Sequence, residues 1–113
     1  MSSLIEPAIK EWASPKEFDV EKEIIVEGFR VLTVDEIIKE DGRAPLYPPF
    51  DGKVRRLLFR QQGFDGVRRL DVNAPAFQND LARYGIQVGS KGKLRRVPRE
   101  GRKGFNWIFT KNE

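Results

Sequence analysis

The chain contains neither cysteine nor histidine among its 113 residues. The first absence excludes a disulfide framework and thiolate chemistry. The second removes the commonest zinc ligand, the side chain that titrates near neutral pH, and every Ser-His or Cys-His nucleophile pair. Carboxylates, Lys, Tyr and Ser/Thr are what remain for catalysis. The expectation is a protein that is not an enzyme, with no cofactor and no metal. Long apolar runs are also lacking, since none approaches the roughly 18 residues a membrane helix needs. Met1-Ser2-Ser3-Leu4-Ile5-Glu6 has no basic stretch ahead of an apolar segment, so it does not read as a secretory signal. An intracellular site, cytoplasmic or nucleoid, and no membrane partner are therefore expected.

One carboxylate–magnesium pattern survives these exclusions. Asp51-Gly52-Lys53, with Glu40 and Asp41 upstream, has the acid-x-Lys spacing that metal-dependent nucleases carry on a strand. Here Asp-Gly follows a Pro-rich stretch, where it is favoured for backbone reasons alone. No catalytic residue is assigned from it. Val88-Gly89-Ser90-Lys91-Gly92 is likewise too short, and lacks the Lys-Ser/Thr ending, to be a phosphate-binding P-loop.

What the chain does have is charge, unevenly placed. Residues 1–50 carry six cations against eleven carboxylates, a net of −5; residues 51–113 carry fifteen against six, a net of +9. The length fits one domain, with an acidic half 1–50 and a basic half 51–113. A basic half this dense attracts polyanions by steering and counterion release. An acidic half repels them, so a polyanion is expected to meet one side only.

Local patterns give the elements. Ile5, Ala8, Ile9 and Trp12 fall on one face of a helix over residues 6–13. Ser14-Pro15-Lys16-Glu17 reads as a fresh cap. Residues 23–27 and 29–33 read as a hairpin turning at Glu27-Gly28 or as one bent strand. Thr33-Val34-Asp35-Glu36 is a capping box, and Val34, Ile37 and Ile38 give its helix a buried face. Asp41-Gly42 ends that helix. Three prolines make residues 43–52 a loop. Residues 53–61 and 67–72 read as two strands around a Gly-bounded turn. Asn73 caps a helix over residues 74–84, with Phe77, Leu81 and Tyr84 inward, Gln78, Asn79, Asp80 and Arg83 outward, and Gly85 as terminator. A final hairpin joins residues 94–97 to 105–110. The fold class is α+β: an antiparallel sheet of about five to six strands with two or three short helices.

The densest positive charge lies in residues 83–103, where eight cations face only Glu100. Lys91, Lys93, Arg95, Arg96, Arg99, Arg102 and Lys103 belong to it. Directly afterwards, strand alternation puts Phe105, Trp107 and Phe109 on one face. Cations beside aromatics are what single-strand binders use, with bases on rings and Lys/Arg along the backbone. The competing assignment for those rings is the core. Lys53, Arg55, Arg56 and Arg60 on one strand, with Arg68 and Arg69 on its partner, extend the basic track if they cluster across a hairpin. Non-enzymatic nucleic-acid binding is therefore expected, DNA or RNA, single-stranded slightly preferred. It would use Lys53, Arg55, Arg56, Arg60, Lys91, Lys93, Arg95, Arg96, Arg99, Arg102 and Lys103 on phosphates and Phe105 or Trp107 for stacking.

Two alternatives stand beside this. A protein-interaction adaptor or homo-oligomer would dock a protein partner through the acidic half or join acidic to basic faces. A winged-helix-like duplex binder has a helix followed by a basic hairpin in the same order, but it needs a helix within residues 53–72.

Overall fold

The computed structural model describes residues 9–45, 48–101 and 103–112, with side chains from Trp12 onward. Nine elements follow in order: β1 (Ile9–Trp12), a 3-10 turn (Pro15–Asp19), β2 (Lys22–Thr33), α1 (Val34–Asp41), β3 (Lys53–Arg60), β4 (Val67–Asp71), α2 (Pro75–Arg83), β5 (Lys91–Pro98) and β6 (Phe105–Lys111). The strands form one sheet in the order β1-β4-β3-β2-β5-β6. Every pairing is antiparallel except the short parallel pair of β1 with β4. The architecture is α+β, as its pattern of strands and short helices implied.

The 12-residue β2 unifies the sheet. Its first half pairs with β5 and its second half with β3. The register shifts between Val26 and Gly28, so Glu27 is an extra residue on this strand and bends it. Glu27-Gly28 is thus the bend of one strand and not a hairpin turn. Because β2 comes from the acidic half and lies between β3 and β5 of the basic half, the two halves share one core.

Alternation assigns the faces. On one, Ile24, Val26, Leu57, Phe59, Leu70, Val72 and Leu94 meet Phe18 of the 3-10 turn and Phe77 and Leu81 of α2. Phe18 packs 5.8 Å from both Phe59 and Trp107. On the other face α1 covers only one end, where Ile37 joins Leu32 and Val54. The rest of that face is uncovered by any described helix. α1 is set by its capping box, with Glu36 N–H donating to Thr33 Oγ1 and Thr33 N–H to Glu36 Oε1. Gly42 ends it at φ 76°. The bonds from Thr33 hold the Glu36 carboxyl below its ordinary pKa.

Four sequence expectations change. The part of residues 6–13 that the structure describes is a strand, Ile9–Trp12, because it pairs with β4; residues 6–8 lie outside the described residues. Ile38 is exposed and not buried with Ile37. Asn73 does not cap α2; its Oδ1 accepts from Arg55 N–H and its Nδ2 donates to Pro48 O, tying the proline loop to the sheet. Tyr84 ends α2 59% exposed and does not line its inner face, while Gln78 turns inward to accept from Arg55 Nε at 2.8 Å.

Gly92 marks the tightest packing. A Cβ there would meet Thr110 O at 2.4 Å and the Phe109 ring at 2.5 Å. The strand admits only glycine because the Phe109 ring lies across it. Gly92→Ala is expected to cost roughly 1–3 kcal/mol by overpacking, read as a lower urea midpoint at unchanged slope.

Candidate nucleic-acid interface

The structure divides the cations into two groups. One is consumed internally. Arg56, 1% exposed, donates from Nε to Asp71 Oδ1 at 2.8 Å and from its two terminal nitrogens to Asp41. Its guanidinium and that of Arg69 each lie 4.6 Å from the Trp12 ring centroid. Burial works against the Arg56 charge, but the bonds to Asp71 and Asp41 outweigh it and hold the group firmly protonated. Arg68 is buried and pairs with Glu17 at 2.9 Å, and Arg69 with Asp41 at 3.5 Å. Arg55 is buried against Gln78 and Phe50 O. Arg96 pairs with Asp19 at 2.8 Å and stacks 3.7 Å over Phe105.

These placements revise the second basic track. No β3 arginine stands directly opposite a β4 arginine, because the register sets Arg56 opposite Asp71, Leu58 opposite Arg69 and Phe59 opposite Arg68, and the two that converge, Arg56 and Arg69, share Asp41 and Trp12. Arg55 and Arg56 have their donors turned to interior partners and Arg96 is held by Asp19 and Phe105, so they drop out of the surface set. Lys53 is exposed at the start of β3, at the far end of that strand from Arg60. Asp51 and Gly52 form a turn with φ values of 56° and 72°, closed by Phe50 and Lys53. No group of carboxylates able to hold a metal occurs among the described residues. Residues 53–72 contain β3 and β4 and no helix, so the element required by a winged-helix arrangement is missing.

The acidic half supplies Glu17, Asp19, Glu27 and Asp41 to Arg68, Arg96, Arg60 and Arg56/Arg69. Charge that is segregated along the chain is interleaved in space. The Arg68 bond lowers the Glu17 pKa, and the Arg96 bond lowers that of Asp19. A depressed carboxylate stabilises the fold above its unfolded value of about 4.5 for Glu, and that stabilisation is lost as pH falls toward the folded pKa. Thermal stability is expected to hold down to about pH 5 and to fall below pH 4, with Glu17→Gln flattening the acid limb.

The second group of cations is exposed and has no ion-pair partner among the described residues. Lys91, Lys93 and Arg95 alternate along the uncovered face of β5, at a spacing of ~6.6 Å. Across the sheet they form rows. Asn112, Lys91, Ile25 and Arg60 follow one another from β6 to β3; the next row is Thr110, Lys93 and Glu23; the third sets Ile108 beside Arg95. Beyond Arg95 the hairpin closes with Arg99 N–H donating to Gly104 O at 3.1 Å, and Arg99 and Lys103 stand exposed at its tip. Lys111 is exposed at the far end of β6 but stands opposite Gly92, on the other face of the sheet. Arg102 lies outside the described residues. Arg60 is half available, paired with Glu27 at 3.0 Å on an exposed side chain.

The aromatics separate as well. Trp107 and Phe109 share the opposite, covered face and pack against the main core. Phe105, 37% exposed, is the ring of the three nearest solvent, and Arg96 occupies one side of it. Neither a family model, nor a curated protein, nor a solved structure matches this chain.

Proposed function

We propose that the chain is a non-enzymatic nucleic-acid-binding protein that uses the uncovered β2–β5–β6 face. The observation that carries this reading is the alternation of Lys91, Lys93 and Arg95 on an open sheet face, without ion-pair partners among the described residues, while Arg56, Arg68 and Arg69 are neutralised by carboxylates. Leaving three like charges in a row costs stability, and a polyanion relieves that repulsion. Arg99 and Lys103 at the tip lengthen the track. Trp107 and Phe109 contribute through the core, and Phe105 shares their face and is stacked by Arg96, so on this hairpin the open face engages a polyanion through its cations. The adaptor alternative has less support, because Glu17, Asp19 and Asp41 of the acidic half are already paired within the fold, with Arg68, Arg96 and Arg56/Arg69.

The test is fluorescence anisotropy with labelled single strands and duplexes across a salt series. With about four to six phosphates engaged, the expected slope of log K against log salt is roughly −3 to −4 for single strands. Absence of binding at low salt overturns the reading.

A further inference from the structure

We infer that a cleft at one end of the cationic row takes the base of a single unpaired nucleotide. The inference rests on the proposed function and deepens it, because it names the part of a polynucleotide that is recognised.

The cleft exists because β3 is shorter than the strand it pairs with. Val26 N–H donates to Ser90 O at 2.8 Å, so Lys22, Ile24 and Val26 turn their backbone groups toward β5. Ile25 and Glu23 turn theirs the other way. Ile25 meets Arg60, the last residue of β3. Glu23 is one step past that end, and its N–H and C=O face open space with no backbone partner among the described residues. Residues 61–64 then turn back alongside, leaving a cleft of about 450 Å³ bordered by Glu23, Ile25, Arg60, Gln62, Phe64 and Lys91.

Each border has a use for a nucleotide. Ile25 is a half-buried apolar floor between two cations, with Lys91 on one neighbouring strand and Arg60 on the other. Phe64 is 38% exposed, and the Arg68 guanidinium lies 3.8 Å over its ring. Arg68 is in turn held by Glu17 and Gln61, so the ring rests on a fixed support. A base stacks on such a ring. Beside it, the Glu23 N–H and C=O form a donor–acceptor pair of the kind that reads a base edge, and the exposed Gln62 amide adds another of each. Lys91 is both a wall of the cleft and the first cation of the row, so a phosphate held there continues directly onto Lys93 and Arg95. A base inside a duplex is stacked and paired, and it cannot enter without being extruded. The cleft therefore selects single strands.

Two variants of the full chain test this, Phe64→Ala and Gln62→Ala, measured by anisotropy with a mixed-sequence single strand and with its duplex. Melting curves check that both remain folded. Phe64→Ala is expected to weaken single-strand binding by roughly 10-fold at unchanged salt slope, and duplex binding by less than twofold. In the wild-type protein, adenosine 5′-monophosphate at millimolar concentration is expected to shift the amide resonances of Glu23, Ile25 and Phe64. If neither variant changes single-strand affinity and the nucleotide leaves those amides unmoved, the cleft assignment is overturned, while retained binding leaves the cationic row standing. Equal weakening of single strand and duplex by Phe64→Ala also overturns it, because the ring is then only structural. If the wild-type protein binds no polynucleotide, the proposed function falls and this inference with it.

Discussion

Arg56→Met is expected to bring the protein close to unfolding. The substitution removes the guanidinium that bonds both Asp41 and Asp71, whose side chains are 9% and 1% exposed. Two buried carboxylates are then left without their shared counter-charge, Asp41 keeping only the 3.5 Å pair with Arg69. Breaking a buried pair from one side costs about 3–5 kcal/mol, against a total stability of roughly 5–15 kcal/mol for a domain. For a chain of this size that corresponds to a melting point lower by roughly 12–20 °C. The triple variant Arg56→Met/Asp41→Leu/Asp71→Leu is expected to recover most of the loss. Replacing a buried ion cluster with apolar side chains of similar volume is often neutral, and Arg69, which also loses Asp41 here, is 24% exposed and can turn to solvent. A single variant that melts within 3 °C of the wild type contradicts this assignment.

The second large effect is on binding and should leave stability alone. Lys91→Ala/Lys93→Ala/Arg95→Ala removes three exposed side chains that form no described ion pair, so the melting point is expected to stay within a few degrees. Each phosphate contact contributes about 0.7 to the single-strand salt slope. Losing three flattens the slope by roughly 2 and lowers affinity about 100-fold near 0.1 M salt. Arg55, Arg56 and Arg96 are not equivalent controls, because their loss acts through folding. Lys53→Ala is the suitable one, being equally exposed and basic but remote from the β5 row. An affinity loss below threefold in the triple variant would place the interface elsewhere.

Much of the fold was legible because local signals carry their own physics. The Thr33 capping box, Gly42, the β3–β4 pair and the last hairpin all rest on interactions within a few residues. Residues 9–12 misled because four residues carry too little periodicity to override the helical spacing of Ile5, Ala8, Ile9 and Trp12, and only pairing with the distant β4 makes them a strand. The site was legible in part for the same reason. Lys91, Lys93 and Arg95 share a face by alternation alone. The fate of the other arginines depends on partners far along the chain: Glu17 for Arg68, Asp19 for Arg96, and Asp41 with Asp71 for Arg56. Their charge counted toward the basic half in the sequence and is spent inside the structure. The cleft beside Glu23 had no local signal, since it arises from β3 ending before β2 does. Phe64 was missed because it stands in no aromatic run.

The most direct test of the central claim is an amide shift map of the isotopically labelled protein titrated with a short single-stranded oligonucleotide. The expected perturbations fall on Lys91, Lys93, Arg95, Arg99, Lys103 and Ile108, with Ile25 and Phe64 at the end of the row, and leave α1 and β1 unmoved. Shifts centred on α1 or on the proline loop, or none at all, would contradict the uncovered sheet face as the nucleic-acid surface.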